Sequence, residues 1–417
     1  MKIKRRLKND IIKWLDRPEI IILRGARRVG KTTLMREIYD EISYAKAFFT
    51  CDDIDFLNRV ESPDDLIYIL KREYGFNDSD RFFLFLDEFH YLPYATRFIK
   101  NLFDRYPRLK IFVSGSSALE VIKESEPLTG RSVEFLLFPF SFDEILPTML
   151  NSEIDPDPMF FKIYKNDIER IFYEYIGFGG FPEVFLEENE EIRLRWLAEY
   201  IQRYIEKDII HFTRIDNFQA FNNLLRLLAA QIGNVVVYSE LSNTLALSYP
   251  TVTRYINLLQ STFVVDRVKP FASNPRSELT KSPKIYFIDL GIRNRILGIN
   301  QTVKLHPDIG TLVENFVYLT LRQIFEPDKI HFYRTLSGAE IDFIVELSYK
   351  KLLLLEVKYR PVPKITRSLR NFLKKYENKF EIQPILVTRD SYSKNTDILQ
   401  IPASMLIFEL KSLLEVK

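Results

Sequence analysis

At 417 residues the chain is longer than one compact core usually allows, so we expect about two or three domains. Its formal net charge of +2 excludes nucleic-acid binding through a global positive field and leaves local patches as the route. The single cysteine, Cys51, excludes an intrachain disulfide and a cysteine-based metal cluster, and it fits a cytoplasmic location. No apolar stretch of about 18 residues occurs, and no apolar run follows the basic N-terminus, so we predict neither a membrane span nor a signal peptide.

The first 145 residues alternate short apolar runs with helical patterns. Apolar runs bounded by turn signals and separated by helices favour a parallel sheet with crossover helices. We therefore predict an α/β domain over residues 1–145. Its predicted strands are Glu19–Arg24, Ala45–Thr50, Arg81–Leu86 and Leu109–Ser114.

The first strand leads into a glycine-rich loop that fits G-x-x-x-x-G-K-[ST] and opens a predicted helix over Thr32–Ile42. The glycines let the backbone wrap around phosphates and present N–H groups at the positive end of a helix. We predict ATP and Mg²⁺ as cofactors, with Lys31 reaching the β- and γ-phosphates and Thr32 ligating the metal. The predicted nucleotide-binding residues are Gly25, Ala26, Arg27, Arg28, Val29, Gly30, Lys31, Thr32 and Thr33.

Two carboxylates follow the third apolar run, in Leu84-Phe85-Leu86-Asp87-Glu88. In open α/β sheets the carboxyl ends of the strands meet the ligand, which puts both residues near the glycine-rich loop. Neighbouring side chains on a strand point to opposite faces, so the two are expected to do different work. We predict that Asp87 holds the Mg²⁺ shell and that Glu88 is the general base for the attacking water.

Two further residues have alternatives that the sequence leaves open. Ser114 ends the next strand, where its hydroxyl is a candidate γ-phosphate sensor; the alternative is a helix N-cap within residues 114–117. Arg131 is a candidate arginine finger acting on a neighbouring subunit's ATP, and the alternative is a surface arginine.

The order of these segments resembles the archaeal-type ATPases of the AAA+ superfamily, which are related to the signalling STAND NTPases. The segments that carry the resemblance are GARRVGKTT, FLFLDE, VSGSSA, LTGR and LFPFSFDE, followed by GGFPE at residues 179–183. The resemblance covers nearly the whole chain and implies ATP with Mg²⁺ at residues 25–33, Asp87 and Glu88. It also implies a homo-oligomer, as a ring or partial ring. His90 stands where the family pattern is loose and receives no role.

Residues 146–275 are predicted to be a helical segment followed by a winged helix. Apolar spacing predicts helices at 218–232, 240–247 and 251–259, and a wing strand at 263–268. The third helix carries residue types that contact phosphates and base edges of DNA. These residues are Tyr249, Thr251, Thr253, Arg254 and Asn257. A winged helix that serves only as a packing or lid module is the alternative.

Residues 276–417 return to alternating strands and helices, which predicts a second α/β domain. Asp342, followed on the next strand by Glu356-Val357-Lys358, resembles the PD-(D/E)XK nuclease fold. The resemblance implies that Asp342 and Glu356, joined by Glu314 from a predicted helix, hold Mg²⁺. Lys358 would then activate or position the water that attacks phosphate. Ordinary salt bridges at strand ends are the alternative.

The hairpin geometry offers a check on this constellation. Asp342 faces Glu356 only if the connecting loop has an odd length or the hairpin contains a bulge, since an even, unbulged turn would pair Asp342 with Val357. In addition, Lys351–Lys375 contains eight Lys or Arg and one acid, Glu356, which suits a phosphate backbone.

Two functional hypotheses follow. In the first, an AAA+-type ATPase repositions a winged helix and a nuclease-like domain on DNA. In the second, a STAND-like switch uses ATP to control protein assembly, and the C-terminal domain is an inert binding platform. A nuclease-like fold that binds DNA or protein without cleaving is a third option, since a fold does not establish an activity.

Overall fold

The computed structural model describes residues 2–115, 128–208, 215, 217–271, 282–299, 303–335, 338–361, 363–394 and 396–414. Across these residues, no helix combines the length and the apolarity needed to cross a bilayer. Ser116 and Ser117, named above as part of a possible N-cap, lie outside the described residues.

The N-terminal layer is a five-stranded parallel sheet in the order β2-β3-β4-β1-β5. Its strands are β1 (Ile20–Arg24), β2 (Ala45–Thr50), β3 (Phe82–Asp87), β4 (Leu109–Gly115) and β5 (Ser132–Leu136). The four strands predicted from apolar runs are confirmed. β5 was missed because it lies at the edge of the sheet and is only half-buried, so its sequence has no continuous apolar run.

Helices cover this sheet, and several begin at sequence signals that are visible in the chain. The α4 helix has a capping box in which Ser62 and Asp65 exchange hydrogen bonds, with Pro63 in the first turn. The helices are α1 (Leu7–Ile12), α2 (Lys31–Glu41), α3 (Ile54–Arg59), α4 (Pro63–Glu73) and α5 (Ala95–Arg105), and a short 3₁₀ turn covers Phe89–Tyr91.

The middle of the described chain is helical, as predicted. Its first helices are α6 (Phe142–Leu150), α7 (Pro158–Phe178), α8 (Pro182–Phe185) and α9 (Glu190–Tyr200), continued by a π-helix over Ile201–Asp208. The three helices predicted for a winged helix are α10 (Phe218–Ala230), α11 (Tyr238–Leu245) and α12 (Tyr249–Ser261).

The C-terminal half is built on a seven-stranded mixed sheet in the order β12-β11-β10-β9-β8-β6-β7. Its strands are β6 (Val265–Pro270), β7 (Lys284–Phe287), β8 (Ile330–Arg334), β9 (Glu340–Ser348), β10 (Lys351–Val357), β11 (Glu381–Thr388) and β12 (Leu399–Pro402). The accompanying helices are α13 (Leu290–Ile296), α14 (Ile309–Arg322), α15 (Arg367–Tyr376) and α16 (Leu406–Leu413), with 3₁₀ turns at Val303–Leu305, Pro327–Lys329 and Ala403–Met405.

The strand predicted as a wing differs from expectation. β6 pairs antiparallel with β7 and parallel with β8, so it belongs to the large C-terminal sheet. The sheet therefore crosses the predicted boundary between residues 275 and 276. Apolar alternation shows that a segment is a strand, but it does not show which distant strand completes its hydrogen bonds.

One hydrophobic cluster connects the two halves. It contains buried residues of β1, such as Ile21 and Leu23, together with Leu406 and Leu410 of α16. The other face of the N-terminal sheet has a cluster of its own, with Leu84 and Leu86 of β3 at its centre.

Candidate functional site

The glycine-rich loop lies between β1 and α2, where the sequence placed it. Gly30 has a φ of +95°, a left-handed conformation that glycine adopts without strain, and it directly precedes the first residue of α2. Gly25 is packed closely, because a Cβ added there would lie 2.3 Å from the carbonyl oxygen of Leu137. Both glycines are thus required by the path of the backbone.

The residues predicted to hold phosphate and metal come together at this loop. The Thr32 hydroxyl donates to Asp87 Oδ2 at 2.5 Å, which places the two predicted Mg²⁺ ligands side by side. Lys31 is buried, and its ammonium group donates to the carbonyl oxygens of Gly25 and Ala26 at 3.2 and 3.1 Å. Thr32 and Thr33 are exposed residues at the start of α2.

Glu88 reaches the same place by leaving the strand. β3 ends at Asp87, and Glu88 has a left-handed φ of +51°, so strand alternation does not govern its direction. The expectation that the two carboxylates point to opposite faces of a strand is therefore wrong for Glu88. Its Oε1 lies 4.0 Å from Lys31 Nζ. Burial raises the pKa of Glu88, while Lys31 opposes the shift and Asp87 adds to it.

His90 lies beside Glu88, with 3.4 Å between Nδ1 and Glu88 Oε2, and its side chain is 8% exposed. Sequence reasoning gave this residue no role. A His two positions after a carboxylate pair carries no spacing signal, and only the turn at Glu88 brings the imidazole to the carboxylate.

Ser114 and Arg131 occupy different surroundings. The Ser114 hydroxyl donates to Asp87 Oδ1 and accepts from the backbone N–H of Glu88 at 3.3 Å. Ser114 thus contacts the carboxylate of Asp87 and the backbone of Glu88. The Arg131 Nε donates to Asp104 of α5 at 2.8 Å, within the same chain.

The glycine-rich loop also contacts the GGFPE segment. A Cβ on Gly30 would lie 3.9 Å from Pro182 Cγ, so α8 begins directly against the loop. Arg28 has a φ of +64° and pairs with Glu183 at 3.2 Å. Glu183 also accepts a hydrogen bond from the indole N–H of Trp196.

The turn before α8 is held from the C-terminal half by Asp289, the N-cap of α13. Asp289 Oδ2 accepts from the N–H of Gly180 at 2.8 Å, and Oδ1 accepts from the N–H of Ile292 at 3.0 Å. A Cβ on Gly179 would lie 2.2 Å from Asp289 Oδ1, so only glycine fits there. The carbonyl of Gly180 accepts from the N–H of Phe140 at 2.7 Å, which ties the turn to the end of the N-terminal domain as well.

In the C-terminal sheet, the β9–β10 hairpin contains a bulge, which is one of the two conditions under which Asp342 faces Glu356. Lys351 pairs with Ser348, the register then shifts, and Leu355 pairs with Phe343, so the next pair in this register is Glu356 with Asp342. Asp342 accepts from the N–H of Val357 at 2.7 Å.

The environment of Glu356 links it to two further elements. Lys358 Nζ lies 3.2 Å from Glu356 Oε1, and the hydroxyl of Thr366, the N-cap of α15, donates to Glu356 Oε2 at 2.7 Å. Burial raises the pKa of Glu356, and these two contacts oppose the shift.

Glu314 is engaged by a residue that the sequence analysis did not consider. Lys284 of β7 is 1% exposed, and its ammonium lies 3.0 Å from Glu314 and 2.6 Å from Glu340. The hydroxyl of Tyr286 also donates to Glu314, at 2.7 Å. Burial and the nearby Asp342 raise the pKa of Glu314 to about 7. Burial opposes the charged form of Lys284, but Glu314, Asp342 and Glu340 raise its pKa above the ordinary value.

This arrangement differs from the predicted metal centre of Glu314, Asp342 and Glu356. Within the described ranges, no group of three His, Cys, Asp or Glu side chains is gathered as a metal site. The positive charge beside Glu314 comes from Lys284, which lies 30 residues away in the sequence. Motif spacing cannot reveal such a partner.

The parallel sheet, the loop and the Thr32–Asp87 contact define a P-loop ATPase domain in the first 146 residues. The family described as an AAA domain matches residues 17–146. Two families described as domains of unknown function, DUF8612 and DUF4143, match residues 169–303 and 309–406.

Similar proteins occur in archaea and bacteria. The uncharacterized protein MJ1637 of Methanocaldococcus jannaschii is 27% identical over 388 residues, which is 84% of this chain and 78% of that protein. The uncharacterized protein Rv2008c of Mycobacterium tuberculosis is 26% identical over 363 residues, 86% of this chain and 74% of that protein. Among solved structures, the Walker-type ATPase paby2304 of Pyrococcus abyssi is 16% identical, with a TM-score of 0.44 over 71% of this chain and 96% of that one.

Proposed function

We propose that this chain binds ATP with Mg²⁺ and hydrolyses it at the P-loop. The observation that carries the proposal is the contact between Thr32 and Asp87, with Lys31 and Glu88 beside it. A hydroxyl and a carboxylate oxygen in contact are hard oxygen ligands of the kind that Mg²⁺ prefers, so the residues fit the cofactor.

Each residue has a distinct task. Thr32 and Asp87 would hold Mg²⁺, which neutralises charge on the phosphates when bound. Lys31 would bind the β- and γ-phosphate oxygens, and the N–H groups at the start of α2 would add hydrogen bonds. Glu88 would accept the proton of the attacking water, and its raised pKa brings it closer to the range in which a carboxylate is an effective base. Ser114 keeps Asp87 oriented.

The test is steady-state ATP hydrolysis by wild type, Glu88→Gln and Asp87→Asn, with and without DNA. We expect Glu88→Gln to reduce kcat by a factor of at least about 100 while ATP still binds. Asp87→Asn should weaken Mg²⁺ binding and so raise the Mg²⁺ concentration needed for half-maximal hydrolysis. Full hydrolysis by Glu88→Gln would contradict the assignment of the base.

We further propose that ATP turnover is coupled to nucleic-acid binding by the C-terminal half, without cleavage. Lys284 supports the second part of this proposal, because its ammonium already compensates Glu314 and Glu340, two of the acids nearest Asp342. A buried ion pair of this kind is costly to replace by a metal, since the lysine would have to leave or lose its proton.

The assembly switch with an inert C-terminal platform remains the second candidate, and the same observation favours it. DNA-stimulated hydrolysis that disappears in Glu88→Gln supports the nucleic-acid output. A hydrolysis rate that is unaffected by DNA, but that increases per protein molecule as the protein concentration is raised, supports the switch. Metal-dependent cleavage that is lost in Lys358→Ala would contradict both proposals and restore the nuclease.

A further inference from the structure

The α15 helix has two faces of opposite character. Leu369, Phe372 and Tyr376 are buried against the C-terminal sheet. The solvent face carries Arg367, Arg370 and Lys374 at the i, i+3, i+7 spacing that aligns side chains along a helix. Asn371 and Lys375 lie beside this row and are exposed as well. We call Arg367, Arg370 and Lys374 the basic row.

The basic row is not compensated by the chain around it. Residues 357–376 contain no acidic side chain, and the flanking acids, Glu356 and Glu377, form no ion pair with the row in the described part of the chain. Across the residues that the structure describes, no carboxylate forms an ion pair with Arg367, Arg370 or Lys374. Three cations held in line on one rigid helix therefore create a local positive field in a protein whose net charge is only +2.

The buried face of α15 determines which polyanion fits. Helices that bind membrane surfaces insert a free apolar face between lipids. In α15 that face is occupied, because Phe372 packs on Tyr333 with ring centroids 4.9 Å apart and Leu369 is fully buried. The exposed face of α15 can therefore recognise a partner through its positive charges but cannot insert an apolar surface into a membrane.

The length of the row matches a phosphate backbone. Arg367 and Lys374 lie about 10 Å apart along the axis at about 1.5 Å per residue. A strand of duplex DNA rises about 3.4 Å along the duplex axis per phosphate, so a row aligned with that axis covers the rise of about three phosphate steps. The row also starts next to Thr366, which donates to Glu356, so it extends outward from the carboxylate hairpin.

We propose that the basic row of α15 binds the phosphate backbone of double-stranded nucleic acid without reading its sequence. This inference rests on the nucleic-acid output of the proposed function and names the surface that carries it. Arginine and lysine contacts to phosphate fix position but convey no base identity. The row therefore anchors the duplex beside β9 and β10.

The test compares full-length wild type with a triple variant, Arg367→Gln, Arg370→Gln and Lys374→Gln. A matched control removes three exposed cations from α7 and α9, through Lys162→Gln, Arg170→Gln and Arg195→Gln. Dissociation constants for two labelled 30-base-pair duplexes of unrelated sequence are measured over a series of salt concentrations, and basal ATP hydrolysis is measured in parallel.

The logarithm of the association constant falls with log[salt], and each phosphate contact contributes about 0.9 to the steepness. Loss of three contacts should make this slope shallower by roughly 2.7. We expect the triple variant to bind both duplexes at least about tenfold more weakly near 0.1 M salt. The control should keep most of the wild-type affinity, and both variants should keep basal hydrolysis.

The contrary outcomes are distinct. If wild type binds no duplex, the proposed coupling to nucleic acid is wrong, and so is this inference. Basal ATP hydrolysis still tests the proposed ATPase activity separately. If wild type binds but the triple variant binds equally well, or the control loses as much, the output survives and the basic row is wrong. Loss of binding to vesicles containing phosphatidylserine, with duplex binding intact, would assign the row to a lipid surface and overturn the inference. If the triple variant loses affinity for only one of the two duplexes, the row also recognises sequence, which contradicts binding through the phosphate backbone alone.

Discussion

At the level of single residues, Glu88 owes its position to a left-handed backbone conformation directly after β3. Non-glycine residues in that region are uncommon and carry some strain, so the surroundings must hold them there. Ser114 accepts a hydrogen bond from the N–H of Glu88, and His90 lies against its carboxylate. The proposed base is thus positioned by neighbours that its own motif does not include.

His90→Gln should lower kcat several-fold and leave the KM for ATP nearly unchanged, because the substrate is expected to contact the P-loop and not His90. The rate should also depend differently on pH. As the proposed base, Glu88 would act only when ionised. Burial raises its pKa above the ordinary value; Lys31 and Arg27 oppose the shift, and Asp87 and Asp52 add to it. His90 Nδ1 lies 3.4 Å from Glu88 Oε2, so replacing the imidazole by a neutral amide removes a polar neighbour of the carboxylate, and we expect the acid limb of kcat to move to higher pH.

The conservative variant Tyr91→Phe is a suitable control, since the Tyr91 ring lies against His90 with centroids 4.6 Å apart and planes tilted by 35°. It should keep the wild-type pH profile. An acid limb that stays in place in His90→Gln would show that His90 does not act through Glu88.

Lys284 is the second residue whose environment leads to a prediction. In Lys284→Met the buried acids lose their cation, and removal of one partner of a buried pair costs about 3–5 kcal/mol. We expect this loss at pH 8 and a smaller one at pH 5.5. The pKa of Glu314 is already raised to about 7 in wild type, and without Lys284 it rises further. When the pKa of a carboxyl group is higher in the folded state than in the unfolded state, the protein loses stability as the pH rises from the unfolded pKa to the folded pKa.

Urea unfolding of both proteins at the two pH values measures the difference, and Lys284→Arg is the control that keeps the charge. A destabilisation that is equal at both pH values would contradict a role for Lys284 in compensating Glu314.

At the level of elements, the turn between α7 and α8 is the junction of the molecule. The turn contacts the end of the N-terminal domain through Phe140 and α13 through Asp289. The first residues of α8, Pro182 and Glu183, contact the P-loop. Burial raises the pKa of Asp289 to about 6, against the hydrogen bonds that it accepts from backbone N–H groups. Because this segment contacts both halves and the P-loop, we expect its position to respond to nucleotide binding at the P-loop.

Asp289→Ala should destabilise the protein by about 2–4 kcal/mol, since it leaves buried N–H groups without acceptors. Asp289→Asn keeps one acceptor oxygen and should recover part of that loss. Equilibrium unfolding in urea at pH 7 measures both. If both variants lose the same free energy of unfolding, the hydrogen bonds that Asp289 accepts do not contribute measurably to stability.

At the scale of the whole molecule, the two halves share one hydrophobic cluster and a buried charged contact. Asp143 of α6 pairs with Arg6 at 2.7 Å and also accepts from Lys411 of α16. The N-terminal segment, the end of the ATPase domain and the C-terminal helix therefore meet at one carboxylate.

We accordingly expect a fragment of residues 1–146 to be less stable than the full chain. It would expose apolar surface of β1 and α6 that the rest of the molecule covers, and it would leave Asp143 without Lys411. Thermal unfolding and size-exclusion chromatography of the fragment and the full chain provide the measurement. A monomeric fragment with the melting temperature of the full chain would show that residues 1–146 fold independently, in line with the boundary that the sequence predicts after residue 145.

The sequence by itself determined the local features. The strands β1 to β4, the helix α2 and the P-loop follow from apolar runs and glycine positions. These signals lie within a few residues of one another, so no knowledge of distant contacts is needed. For the C-terminal hairpin the sequence supplied only a condition, an odd loop or a bulge, and the structure shows the bulge.

Only the tertiary structure decided which distant side chains complete each site. Lys284 meets Glu314 across 30 residues, Asp289 meets Gly180 across 109, and β6 joins strands on the far side of a predicted boundary. His90 is close in sequence, but the turn that brings it to Glu88 depends on a backbone conformation that neighbouring strands enforce. Such contacts depend on how separate elements pack, and packing is not written in the spacing of any single segment.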